Sequence, residues 1–535
     1  MKSTHTKLLP LIGRRFFFVL CLLGNGAAFA ATTSTADHSK FEALQVPFEN
    51  IKEVNQACVS CHNMAESQLH KTIHWQWDYP LEGKDNAGKL NVINGYHPNV
   101  VSNIDTCDSC HIGFGLTKNT IEYIPEAAVD CLACHDTSGE YFYNRFHQSG
   151  AECAMCHDDG AEAEKARVKK EGERYTLSLT EMAQQAGETS VQTCGSCHFY
   201  DGGGDGAKHG DLDSALISAT FEMDVHMSKD GAGLTCSSCH QSNDHQLFGS
   251  RYDASLPENN TGISALDGAQ ATCESCHGDR PMYDEKLNDH TDVVACQTCH
   301  IPSYARNGVA TKTHWDWSTA GELDRKKRPD AKYDDEGRVI YSSFKGDLQY
   351  GADLTPVYRW YDGALSYTQV GAQAVDGETE LTKTTVSAGD ENAKIAPFHE
   401  FKSLLPIDSE SRQLMPMYLA GSSRDAYWNG FDWKKSLSRG AKAADLDFSG
   451  DYEFAQTSML WSLNHTVAPK EQALTCVDCH SKGGVLAEVT DVYIPGRAQH
   501  TLLDKMGLLA LIAAVLGVLT HGALRWVFNR RRSRS

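Results

Sequence analysis

Two apolar runs stand at opposite ends of the chain, and little between them is strongly periodic. Residues 16–23 are apolar behind Lys2, Lys7, Arg14 and Arg15, and Ala28-Phe29-Ala30 offers a small-x-small site before Ala31. This order predicts a cleaved secretory signal over residues 1–30, the run being short for an uncleaved anchor. Arg14-Arg15-Phe16 loosely resembles a twin-arginine signal. Residues 506–524 are almost wholly apolar, with Trp526 at the edge and Arg530, Arg531, Arg532 and Arg534 behind it. That length crosses a bilayer, and a basic flank stays in the cytoplasm. A transmembrane helix is therefore predicted at 505–528, with a basic cytoplasmic tail at 529–535. The run has no polar face, which argues against a helix lying on the surface.

The body between them carries short signals. Residues 162–173 read as a charged, solvated helical face. Ser178 and Glu181 form a capping box ahead of Met182. Short strands are expected at 338–343 and 382–386, and few others. Residues 311–470 collect aromatics, among them Trp315, Trp317, Tyr358, Trp360, Tyr361, Trp428, Trp433 and Trp461. The string Lys71-Thr-Ile-His74-Trp-Gln-Trp77 is echoed by Lys312-Thr-His314-Trp-Asp-Trp317. Trp rings packed on cofactor edges would account for the echo as well as a functional role would.

Composition narrows the class. With 41% apolar and 22% charged residues over 535 positions, the chain is not a disordered tail protein. Its net charge of -21 excludes a nucleic-acid footprint, which would be basic. The deciding count is 19 Cys beside 24 His.

Eighteen of those cysteines fall into nine C-x-x-C-H pentapeptides. They are Cys58-Cys61-His62, Cys107-Cys110-His111, Cys131-Cys134-His135, Cys153-Cys156-His157 and Cys194-Cys197-His198. Then come Cys236-Cys239-His240, Cys273-Cys276-His277, Cys296-Cys299-His300 and Cys476-Cys479-His480. Random placement would give on the order of 0.03 such motifs. Two thiols bond one haem, and the adjacent His ligates its iron from below. Zinc has no use for a His after every second Cys, and disulfides need none. The odd cysteine, Cys21, falls in the signal. Nine covalent c-type haems are expected, attached outside the cytoplasmic membrane.

Each iron needs a sixth ligand unless it binds substrate. Beyond the nine proximal histidines, and leaving aside His5, His500 and His521 at the ends, twelve remain. They are His38, His70, His74, His97, His147, His209, His226, His245, His290, His314, His399 and His465. Distal ligation is expected from His38, His74, His147, His226, His245, His290, His399 and His465. Low-spin bis-His haems transfer electrons and bind no substrate, so multihaem electron transfer is the minimum function. Seven motifs start between Cys107 and Cys296, too close together for a separate apolar core around each. A mainly α and irregular fold is predicted, with haems forming the core and short helices carrying the motifs. Residues 31–310 would be the haem-dense domain, holding eight motifs. Residues 311–500 would wrap it and hold the ninth.

Several strings resemble those of the octahaem tetrathionate reductase-like cytochromes c. They include Asp37-His-Ser-Lys-Phe41, Thr72-Ile-His-Trp75, Cys194-Gly-Ser-Cys-His-Phe199, Asp224-Val-His-Met227 and Cys296-Gln-Thr-Cys-His-Ile-Pro302. Trp315-Asp-Trp-Ser-Thr-Ala-Gly321 and Val467-Ala-Pro-Lys470 continue the likeness. The most specific is Gly202-Gly-Gly-Asp-Gly-Ala-Lys-His-Gly-Asp-Leu-Asp213. The resemblance spans roughly residues 37–500 and implies one active-site haem whose distal ligand is lysine, at Lys208. The haem is then the one held by Cys107, Cys110 and His111. Ligation requires the neutral amine, and Asn94, His97, His209 and Asp211 complete the expected catalytic surroundings. His97, His209 and Asp211 are its candidate proton donors.

Two departures stand out. The family carries eight haems and this chain has nine motifs, of which Cys153-Ala-Met-Cys-His157 looks like the addition, with His147 as its distal ligand. The tetrathionate-reducing type has a cysteine near the active haem in a string like Ile-Asn-Asn-Phe-Cys. Here it reads Ile93-Asn94-Gly95-Tyr96-His97, which leaves an oxidised nitrogen substrate open. Two functions follow. One is a membrane-anchored periplasmic reductase of a small sulfur or nitrogen oxyanion or amine (tetrathionate, nitrite or hydroxylamine class). The other is a non-catalytic conduit between a quinol-oxidising membrane partner and another reductase. Either implies a membrane partner, with a b-type cytochrome as the first candidate.

Overall fold

The computed structural model describes residues 36–79, 85–96, 99–104, 129–139, 141, 177–200, 205–251, 271–497 and 501–533. The signal, the charged run at 162–173, the motifs at Cys107 and Cys153, and His97, His147 and His500 lie outside them.

Every described attachment motif sits in or at the end of a short helix. Two examples are α1, Ile51–Cys61, and α2, Val191–His198. Residues three apart on a helix share a face, so one turn presents both thiols of a C-x-x-C pair to the same side. Caps define these turns. Asn50 accepts from the Glu53 N–H ahead of α1, and Ser190 and Thr193 form a capping box for α2. Thr235 with Ser238, and Thr475 with Asp478, do the same for the Cys236 and Cys476 motifs. The capping box expected at Ser178 and Glu181 is present.

The expectation of a mainly α fold with few strands does not hold. A mixed sheet of eight strands spans the wrapping region. The strands are β1 Thr311–Asp316, β2 Ala331–Tyr333, β3 Val339–Ser342, β4 Gly346–Gly351, β5 Val357–Tyr361, β6 Glu378–Glu380, β7 Lys394–Asp408 and β8 Tyr452–Ser462. Their order is β2-β3-β4-β1-β7-β8-β6, with β5 also paired to β7. β7 escapes notice in the sequence because Pro397 and Pro406 interrupt it, and an internal proline argues against a central strand. It is also buried along nearly its whole length, so it shows no alternation of period two.

The sheet has an apolar core of its own. Trp315, Trp317, Phe401, Leu405, Met459 and Trp461 pack there with Ile93 and Tyr96 from the N-terminal part of the chain. Trp315 and Trp317 stack at 4.8 Å inside this core. The helix α3, Trp433–Ala443, covers it. The Lys71/Lys312 echo is not structural: Ile73–Gln76 is helical, whereas Thr311–Asp316 is a strand. At the C-terminus α4, Thr501–Arg532, is one continuous helix, long and apolar enough to cross a membrane and not buried against the body.

Candidate functional site

Six of the seven histidines that follow the described motifs face histidines from elsewhere in the chain. Ring centroids lie 6.3 Å apart for His62 and His38, 6.2 Å for His198 and His74, and 6.4 Å for His135 and His245. The separation is 6.0 Å for His277 and His226, 6.2 Å for His240 and His465, and 6.1 Å for His480 and His290. An imidazole nitrogen holds a metal at about 2 Å with its ring centroid roughly 1 Å behind, so two imidazoles across one iron stand about 6 Å apart. All six pairs fit that spacing.

Six of these twelve rings have a tethered outer nitrogen. Nδ1 of His135 lies 2.8 Å from the Gly187 carbonyl, that of His240 2.9 Å from Phe248, and that of His480 3.0 Å from Pro495. On the opposing side, His290 Nδ1 meets the Lys286 carbonyl at 2.6 Å and His245 Nδ1 meets Gln68 Oε1 at 3.0 Å. His465 Nδ1 meets Asp211 Oδ2 at 3.1 Å. A carbonyl or carboxylate here makes Nδ1 the donor and leaves Nε2 to a metal. Burial works against a charged His465, yet the Asp211 carboxylate outweighs it and raises the pKa.

The motifs also crowd one another. The thiols of Cys58 and Cys131, of Cys194 and Cys236, and of Cys273 and Cys296 lie within hydrogen-bonding reach. Cys239 feels Cys276, and Cys299 feels Cys479, through electrostatic contact.

A second assembly surrounds Lys208. Directly opposite each other in the β7–β8 ladder, His399 and Trp461 share a face of the sheet, and Phe401 lies two residues along on the same face. Tyr96 stacks on Phe401 at 3.9 Å and donates its hydroxyl to the Lys208 carbonyl at 2.7 Å. His399 Nδ1 donates to that carbonyl at 3.1 Å. The loop continues onto β1, where Lys312 N–H donates to Ala207 at 3.1 Å. Gly210 has φ +80°, and a Cβ there would meet the Tyr304 ring at 2.6 Å, so only glycine suits it. Lys208 Nζ lies 4.7 Å and the Arg251 guanidinium 4.2 Å from the Trp461 ring centroid. The His209 ring meets the same indole at 4.8 Å, edge-on.

A family model described as Cytochrome c bacterial matches residues 312–483. No curated protein matches the chain. The crystal structure of the octahaem cytochrome c from Shewanella oneidensis matches with a TM-score of 0.70 at 34% identity, over 84% of this chain and 95% of that one. The chain belongs to the octahaem, tetrathionate reductase-like cytochromes c. Membership makes it a multihaem cytochrome c with covalently bound haem, of electron-transfer or reductase type.

Within this family frame, the expected site residues separate into groups. Six of the spare histidines singled out for distal ligation face motif histidines: His38, His74, His226, His245, His290 and His465. His399 faces none among the described residues. Instead it is wholly buried, and burial lowers its pKa to about 4, keeping the ring neutral. Asp211 turns one oxygen to the Asn464 and His465 N–H groups and to the His465 ring, which makes it a positioning residue for His465. Asn94 Oδ1 accepts from Tyr96 N–H at 3.0 Å and shapes the turn beneath that ring. Tyr96 stands in the Ile93–His97 string and Arg251 in none, and sequence reasoning gave neither a role here; only the fold brings them to Trp461.

Proposed function

We propose that the protein is a membrane-anchored, periplasmic reductase. In it, histidine pairs hold electron-transfer haems and Lys208 caps one active-site haem that reduces a small oxyanion or amine. Haem iron supplies one-electron transfer and, where its distal ligand can leave, a seat for a small molecule. The six pairs saturate their irons with imidazole and direct those sites to electron transfer alone. Nine motifs support nine haems. His147 and His399 stay assigned as distal ligands, with His157 and His300 the motif histidines left for them once Lys208 takes the haem of His111.

The observation that carries the reductase reading is the Lys208 assembly. A solvated surface lysine would need no pinned carbonyl, no buried glycine turn and no indole beneath it. Lys208, His209 and Arg251 gather nitrogen-bearing side chains around one ring, and the Arg251 guanidinium raises the local concentration of small anions. His209 and His97 are the proposed proton donors. The histidine at 97, where the tetrathionate-reducing type has cysteine, favours nitrite or hydroxylamine over a sulfur substrate. The C-terminal helix, with Arg530 on Trp526 at 4.2 Å, is suited to anchoring. The electron source is then a quinol-oxidising membrane protein of b-type cytochrome character.

Lys208→Ala tests the reading. One haem should become water-ligated or open while the others stay low-spin, and nitrite or hydroxylamine reduction should change at least about tenfold. If every haem stays low-spin and no activity moves, Lys208 is not a ligand and the protein is a conduit.

A further inference from the structure

We infer that the Cys476–His480 motif is the docking point for a membrane-embedded redox protein, held against the bilayer surface by the short tether to α4. This rests on the reading that the His480–His290 pair holds a haem. His480 Nδ1 is bonded to the Pro495 carbonyl at 3.0 Å, and α4 starts at Thr501. Six residues, even fully extended, span at most about 20 Å. Whatever pose the body adopts, this motif cannot move far from the membrane once α4 is inserted. No other described motif is tied so closely in sequence to the helix.

The attachment turn itself is open to a partner. Val477, between the two cysteines, is 71% exposed, and Tyr493 just before the tether is 65% exposed. Tyrosine is a residue type that settles at the headgroup level. Behind this turn the motifs form an unbroken series. Cys479 neighbours Cys299, Cys296 neighbours Cys273, Cys276 neighbours Cys239, and Cys236 neighbours Cys194. The series ends on α2, and Gly206 N–H bonds the Phe199 carbonyl just after it, at the base of the Lys208 loop. The motif nearest the membrane and the Lys208 loop thus stand at opposite ends of one series. The partner oxidises a quinol to a quinone, releasing two protons. It passes on two electrons one at a time, each reducing a ferric centre to ferrous.

The experiment uses the full-length, haem-loaded protein in its native membranes. A flexible Gly/Ser insert of about 20 residues after Arg497 adds a root-mean-square reach of roughly 25 Å. With menadiol as reductant, haem reduction should slow at least tenfold, while reduction by dithionite should not change. In vesicles with a headgroup fluorophore, the insert should also relieve quenching by the haems. Unchanged menadiol-driven reduction would overturn the inference, as would unchanged quenching.

A second variant separates this inference from the reading beneath it. His290→Met should give one haem the charge-transfer band of methionine ligation, and menadiol should then reduce that haem and stall. The same change at His38 should not stall reduction. Absence of the band would overturn the His290–His480 ligation itself. The band with normal menadiol-driven reduction of the remaining haems would overturn the docking point alone.

Discussion

In the proposed ligation, Asp211 acts on a haem through His465. Its carboxylate holds His465 Nδ1 at 3.1 Å, and a carboxylate behind an imidazole makes the ring a more basic ligand and favours ferric iron. Asp211→Asn keeps an acceptor and removes the charge. The midpoint potential of the haem on Cys236 and Cys239 should rise by on the order of 50 mV, about a tenfold change for one electron. Spectroelectrochemical titration would check this; unchanged potentials throughout would leave Asp211 a purely structural role. Its neighbour Asp213 predicts a pH effect. Burial pushes its carboxyl up to about 7. Between about pH 4 and 7 the folded chain keeps a proton that the unfolded chain has released, so stability falls as pH rises through that window. The loss is on the order of 4 kcal/mol. Asp213→Asn should flatten the decline in melting temperature across that range, and a parallel profile would exclude Asp213 as its source. At this scale the chemistry was legible wherever spacing dictates it. The motif cysteines, the spare histidines and the Lys208 string could be read directly. Which motif each spare histidine faces could not, because nothing local relates His245 to His135 or His465 to His240. Arg251 and Tyr96 were illegible for the same reason.

Among the elements, the helical turns of the motifs announced themselves through caps, and the sheet did not. Two prolines and burial on both faces hid β7, the strand that carries His399 and Phe401. The helix α3 gives a sharp test of how closely the sheet core is covered. Gly440 lies on its buried side, and a Cβ there would stand 1.8 Å from the Pro416 carbonyl oxygen. Alanine normally gains about 1 kcal/mol over glycine inside a helix. Here the overlap with fixed backbone should reverse the sign. Gly440→Ala should lower stability by about 2–3 kcal/mol in denaturant unfolding followed by circular dichroism. Lys442→Ala, one residue beyond Ala441 on the same helix, should be close to neutral. Stabilisation by Gly440→Ala would mean that the helix can move off Pro416.

For the whole molecule, every attachment motif lies upstream of α4. A chain ending at Asp504 should therefore leave the membrane as a soluble, fully haem-loaded protein. Its persistence in washed membranes would mean that something besides α4 holds it there. Pyridine haemochrome measured against protein mass should give nine haems, and a value of eight would mean that one motif is vacant, with Cys153 the first to test by Cys153→Ala.

The sheet core has a consequence for how the molecule is made. Its aromatic cluster closes without any porphyrin, whereas most of the motif helices are single turns with little apolar surface to bury. The strands that complete that cluster, β7 and β8, come late in the chain, yet they enclose Ile93 and Tyr96 from its beginning. The early motifs therefore precede the strands that close over Ile93 and Tyr96, and the sheet core cannot seal until the last third of the chain is present. Late strand synthesis thus sets the clock for closure of the sheet.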